Sequence, residues 1–191
     1  MSRIHGTLVA VLLGLALPAL PLVASAAAPA TALKPVAPQP LKTEFVFTAY
    51  VQVAAPIVIG KGADGLRRYV PITGGEVQGP MLKGTVLAAG GDLQVFRTSD
   101  DVLALEATYI LESDDGVKIS VVNSGYRHGP AEVIARMGRG EAVAPTEYYF
   151  RTSARLDAPR GSKYEWVNRT LFISTAERQA DLVIVHFYRV L

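Results

Sequence analysis

The chain has 191 residues, 50% of them hydrophobic and 19% charged, with no cysteine and a formal net charge of +2. This length suits one domain with a substantial core. The near-balanced charge excludes a nucleic-acid polyelectrolyte, and the missing thiols exclude disulfides and thiolate metal sites.

The first segment reads as a secretory signal: Arg3 leads an apolar run, Thr7–Leu17, that is too short for a membrane span and is broken by Pro18 and Pro21. Small residues at Ala24 and Ala26 predict cleavage between Ala26 and Ala27. Residues 1–26 are therefore expected to be a signal peptide, and the expected location is periplasmic or secreted, with no stable membrane insertion after cleavage. An uncleaved anchor is the alternative. Cleavage would leave 18 basic against 17 acidic residues. Residues 27–40 carry prolines at 29, 35, 38 and 40, which favour extended polyproline II and predict an Ala/Pro-rich tether. The folded domain is expected over 41–191.

From Glu44 the signal is β. The stretch Glu44–Val53 is rich in β-branched and aromatic residues, with Phe45, Phe47, Val51 and Val53 on one alternating face. Further strands are predicted at Arg67–Ile72, Glu76–Gln78, Leu82–Ala88, Leu93–Arg97 and Val102–Glu112. A turn at Ser113–Lys118 leads into a strand at Val117–Asn123, making the clearest hairpin. Pro130–Val143 is the one predicted helix, with proline in its first turn and Gly138 and Gly140 at its end. Strands resume at Glu147–Leu156, Tyr164–Thr175 and Asp181–Leu191. The last is apolar on both faces, as expected of a strand that closes a barrel against the first one. The fold class is thus all-β: a closed antiparallel barrel of about eight to ten strands with one short helix.

Gly74–Asp92 contains six glycines in nineteen residues. A phosphate loop would need a helix after the glycines, whereas Lys83-Gly84 is followed by the strand-like Thr85–Ala89. Glycines at the bends of barrel strands fit better. Outside the leader only His128 and His186 remain, too few for a patterned metal site. No metal and no cofactor is expected.

Polar residues inside strands direct the functional reading. Glu106 lies opposite the face of Leu103, Leu105, Ala107, Tyr109 and Leu111; Tyr149 shares a face with Arg151, and Trp166 with Asn168. Each could be an exterior position in water. Converging inside a barrel, Asp92, Glu106, Tyr149, Arg151, Trp166 and Asn168 would instead make a polar-tipped apolar pocket. Arg151 would pair with an anionic or carbonyl group, or with Glu106. Tyr149 and Trp166 would stack on a ring, and Asn168 would fix orientation.

The blocks "GLRRYVPITGGEVQGPMLKGTVLAAGGDLQVFR", "ALEATYILESDDGVKISVVNSGYRHGP", "EYYFRTSARLD" and "YEWVNRTLFIS" together resemble the proteins grouped as domain of unknown function 3237. The resemblance spans Leu41–Leu191 and implies a closed antiparallel barrel, lipocalin-like or allene-oxide-cyclase-like, with no established activity. The chain departs from that pattern at Leu93, where the family has tryptophan, and at Thr108, where it has arginine.

The reading that follows is an exported barrel binding a small, partly apolar ligand, with no nucleic-acid partner; homo-oligomerisation stays open. The alternative is a cofactor-independent isomerase, cyclase or dehydratase using Glu106 or Asp92 as base and Arg151 as oxyanion stabiliser. A third reading, an interaction protein displayed on its tether, would require a barrel interior filled by side chains.

Overall fold

The computed structural model describes residues 35–191. The expected signal peptide, the expected cleavage site and the first part of the expected tether lie outside the described residues. Residues 35–40 are exposed and without regular secondary structure.

The compact unit, Gln39–Leu191, contains β1 (Thr43–Val53), β2 (Ile57–Lys61), β3 (Gly65–Gln78), β4 (Gly84–Arg97), β5 (Leu103–Ser113), β6 (Lys118–His128), α1 (Ala131–Gly138), β7 (Tyr149–Asp157), a 3-10 helix (Glu165–Arg169), β8 (Phe172–Arg178) and β9 (Leu182–Val190). The strand order is β1-β9-β8-β7-β6-β5-β4-β3-β2, and β1 also pairs with β3. That second pairing closes an eight-stranded antiparallel barrel and leaves β2 as an extra strand on its wall. Closure by the last strand against the first is as expected, from Thr43↔Val190 to Gln52↔Leu182. The β5–β6 hairpin also forms in register, Leu103↔Arg127 to Glu112↔Lys118.

The glycine-rich stretch explains how β3 and β4 bend. Each is one long strand where two short ones were expected. β3 pairs with β2 through Leu66–Tyr69 and with β1 through Ile72–Gln78, so its halves face different neighbours. Register shifts fall between Pro71 and Gly75 and between Val86 and Gly90. Gly75 has φ 143°, and a Cβ there would stand 2.0 Å from the Tyr50 carbonyl oxygen; at Gly90, φ is 107° and the obstacle is the Thr108 carbonyl oxygen, also at 2.0 Å. Only a residue without Cβ permits these close approaches.

Alternation sorts the strands into an inner and an outer face. β7 is the clearest, with Phe150, Thr152, Ala154 and Leu156 buried and every residue between them exposed. At one end the interior is filled: Phe47 stacks on Phe187 with ring centroids 4.4 Å apart, and Phe172, Leu111, Ile119, Val121, Leu156 and Val77 are almost fully buried around them. At the other end the same strands enclose a cavity. α1 and the segment to Pro145 lie across that end, contributing Ile134, Met137 and Val143 to its lining.

Two local expectations change. The helix stops at Gly138, short of Val143. The expected strand Tyr164–Thr175 is instead a 3-10 helix followed by β8. The reason lies in Asn168, whose amide oxygen accepts from the Ala158 N–H at 2.7 Å and whose amide nitrogen donates to the Ala158 carbonyl at 2.9 Å. That clamp folds the β7–β8 connection back on itself. β2 was not expected; its Ile57, Val58 and Ile59 are exposed, so no alternation marks it.

Candidate functional site

The cavity at the open end has a volume of about 780 Å³. Its walls are mainly aliphatic and aromatic, including Val51, Val70, Ile72, Leu105 and Phe150. Against this background a few polar side chains occupy inward positions: Arg68 on β3, Asp92 and Gln94 on β4, Tyr109 on β5, Asn123 and Arg127 on β6, and Thr152 on β7. Arg178, at the end of β8, reaches the same space.

Gln94 organises the centre of this group. Its amide nitrogen donates to Oδ2 of Asp92, and its amide oxygen accepts from Arg68 Nε at 2.7 Å. Asp92 Oδ1 is buried and has no hydrogen-bond partner; the same holds for the Tyr109 hydroxyl, Asn123 Oδ1 and Thr152 Oγ1. Buried polar atoms are rarely left unpaired, so four of them around one cavity mark a place built to receive something polar.

Electrostatics follow from burial. Withdrawal from water pushes the Asp92 carboxyl from its ordinary 3.8 up to about 6, opposed by the Gln94 amide, by the charges of Arg127 and Arg68 and, least, by the Glu106 backbone N–H. Burial, with the charge of Asp92, pushes the Tyr109 hydroxyl up as well. Arg127 comes down to about 10, through burial first and then the like charges of Arg68 and Arg178. Arg68 is lowered by burial and by Arg178, and Arg178 by burial. The cavity therefore holds three guanidinium groups beside the buried Asp92 carboxyl, with Glu141 and Glu177 also in its lining.

Of the six residues singled out by sequence, Asp92 lines the cavity. The structure does not bring the others to it. Glu106 faces outward from β5 and accepts a hydrogen bond from Ser124 Oγ at 3.1 Å. Tyr149 and Arg151 face outward from β7, where the Tyr149 ring stacks on His128 at 4.7 Å and the Arg151 guanidinium lies 5.4 Å from the Tyr149 ring. With Tyr126 and Tyr188 these two line a shallow outer groove. The Glu106–Arg151 pair does not form, because β6 lies between their strands. Trp166 packs at the filled end against Phe172, under the Arg189 guanidinium, and Asn168 is the backbone clamp. The physical reason is simple: the apolar face of each strand turns inward, so the polar face of the alternation meets water.

Arg68, Gln94, Tyr109, Asn123, Arg127 and Arg178 were not singled out. Their signal is a polar residue in the apolar register. On β6 it is visible as Ile119, Val121, Asn123 and Arg127 sharing one face.

A closed antiparallel barrel with one filled end and one polar-tipped cavity defines an enclosing fold. Residues 41–190 match the family described as "Protein of unknown function (DUF3237)", and the chain belongs to it. A UPF0311 protein of Rhodopseudomonas palustris is 39% identical over 151 residues, covering 79% of this chain and 97% of that one. The crystal structure of the conserved protein of unknown function from R. palustris superposes with a TM-score of 0.77, covering 81% of this chain and all of that chain, at 38% identity. A β-barrel-like protein of Acinetobacter baumannii gives a TM-score of 0.70 at 34% identity, with 81% and 99% coverage. More distantly, the hydroalkoxylation enzyme phnH of Penicillium herquei is 24% identical over 153 residues, 80% of this chain and 86% of that one.

Proposed function

We propose that the barrel encloses a small, partly apolar molecule in its open end and moves a proton on it through Asp92. The observation that carries this reading is Asp92 Oδ1, buried at the cavity wall without a partner while Oδ2 is held by Gln94. One oxygen is fixed and the other is available. A carboxyl that titrates at about 6 is populated in both forms near neutrality, so it can accept a proton from one atom and return it to another. The neighbouring guanidinium groups would stabilise an oxyanion formed in that step.

The fungal relative lends this chemistry support. Hydroalkoxylation adds an O–H across a carbon–carbon double bond, which needs a proton taken from oxygen and one given to carbon. An Asp92 couple in a largely apolar cavity meets both needs without a cofactor. Binding without turnover is the simpler reading, supported by the apolar walls alone.

Native mass spectrometry of the protein purified from its host tests the enclosure: a retained small molecule is expected, and a bare chain under gentle ionisation overturns it. Incubating that molecule with the protein in D2O tests the proton transfer. Deuterium should enter carbon in the presence of the wild type and not of Asp92→Asn; equal incorporation with both leaves Asp92 without a catalytic role.

A further inference from the structure

Among the described residues, Arg127 is a buried cation with no acid paired to it. The residue is 8% exposed. A guanidinium carries five N–H donors and no acceptor. Among the described residues Arg127 makes neither an ion pair nor a hydrogen bond through that group; its aromatic neighbour is the Phe150 ring, 5.7 Å away. Burying a charge this way is costly unless a partner of opposite sign arrives.

The groups around it do not supply that partner. Arg68 packs over the Phe96 ring at 4.4 Å and gives its Nε to Gln94, which leaves its two terminal nitrogens unclaimed. Arg178 is engaged by the backbone carbonyls of Ala180 and Leu182, at 2.7 and 3.3 Å, so it adds positive field rather than donors. At the rim, Glu141 is held by Arg139 and Arg136, and Glu177 faces His186 at 3.6 Å. Asp181 acts on Arg178. Asp92 is the remaining acid, and Gln94 already joins it to Arg68.

We propose that Arg127 and Arg68 form a carboxylate anchor, so that the molecule enclosed is a small organic acid whose apolar body fills the rest of the cavity. This rests on the reading of the cavity as a ligand site. Two planar forks, each braced against an aromatic ring, suit the two coplanar oxygens of a carboxylate. A phosphate is favoured where the backbone amides of a helix N-terminus converge on it, and the first residues of α1, Ala131–Val133, do not line this cavity. The aliphatic walls provide for the body of the ligand, and α1 covers it.

The inference is tested by charge selectivity in the unaltered full chain. Isothermal titration calorimetry at pH 7.5 compares 2-naphthoate with 2-naphthamide and 2-naphthyl phosphate, molecules of one shape and different charge. Naphthoate should bind at least about tenfold tighter than the amide, the size expected of charge-assisted hydrogen bonds in a buried site. Added salt should narrow that ratio, and Arg127→Met should abolish it. Because Arg127→Met removes a buried unpaired charge, its melting temperature should equal or exceed that of the wild type, whereas a residue kept for structure would lower it.

Equal binding of naphthoate and amide overturns the anchor but leaves the cavity a ligand site. Tighter binding of the phosphate overturns the carboxylate assignment. Binding of none of the three at millimolar concentration also overturns it, and the enclosure reading then depends on native mass spectrometry alone. A wild-type ratio that survives in Arg127→Met shows that another cation holds the acid, against the proposal.

Discussion

The amide of Gln94 holds one oxygen of Asp92, two residues away on the same strand, and leaves the other oxygen facing the cavity. Neighbours at i and i+2 share a face of a strand, so this contact is set by β4 itself. The same Gln94 reaches Arg68 across the β3–β4 pairing, where Arg68 and Gln94 stand in register. One neutral side chain thus ties an acid and a base together without letting them form a direct ion pair.

Gln94→Leu should raise the midpoint at which Asp92 titrates. The Gln94 hydrogen bond favours the ionised carboxylate, and its loss leaves burial less opposed. Carbon-detected NMR of the side-chain carboxyl reads this directly. A midpoint that falls or stays put contradicts the role given to Gln94.

Asp92→Asn should stabilise the protein above pH 6 and lose that advantage in acid. The folded carboxyl, at about 6, holds its proton more tightly than the unfolded one at 3.8. The stability it contributes is therefore fully present below 3.8 and lost as pH rises through about 6. Over that window the wild type loses roughly 3 kcal/mol that the asparagine variant keeps. Urea denaturation of both proteins from pH 4 to pH 8 checks it; parallel curves would refute it.

Gly75→Ala should destabilise the barrel by about 3 kcal/mol or more, since its Cβ would meet the Tyr50 carbonyl oxygen at 2.0 Å in a backbone conformation with φ 143°. Chemical denaturation gives the number. A loss within experimental error would mean that β1 and β3 can separate there at no cost.

Asn168→Ala should cost about 2 kcal/mol through its two lost backbone hydrogen bonds. Its effect on ligand affinity should be negligible, because the clamp sits at the filled end. Calorimetry and denaturation on one preparation separate the two.

Glu106→Gln and Arg151→Gln should each stay within about 0.5 kcal/mol of the wild type in stability, as surface positions do. Retention of the co-purified molecule should be unaltered in native mass spectrometry. Loss of that molecule in either variant would move the site to the outer wall.

Much of the fold was legible because its determinants are local. Period-two alternation marks a strand wherever one face is buried, as at Phe150–Leu156, and the Gly74–Asp92 run announces bends because glycine alone tolerates them. The β7–β8 connection misled for the opposite reason. Tyr164–Thr170 alternates like a strand, but its conformation is decided by the Asn168 amide meeting Ala158, a contact that propensity cannot express.

For the site, the sequence by itself determined the alternating strands and raised Asp92 as one candidate among six, five of which lie away from the cavity. Only the tertiary structure decided which others join it. Arg68 lies on β3, Asp92 on β4 and Arg127 on β6, and they meet because β3 to β6 are neighbours in a curved sheet whose inner faces converge on the cavity. The bulges at Gly75 and Gly90 shift the pairing register and so change which residues stand opposite one another. A one-residue difference at either bulge would turn the residues beyond it to the other face, and that count is set by strand pairing across the barrel rather than by any single segment.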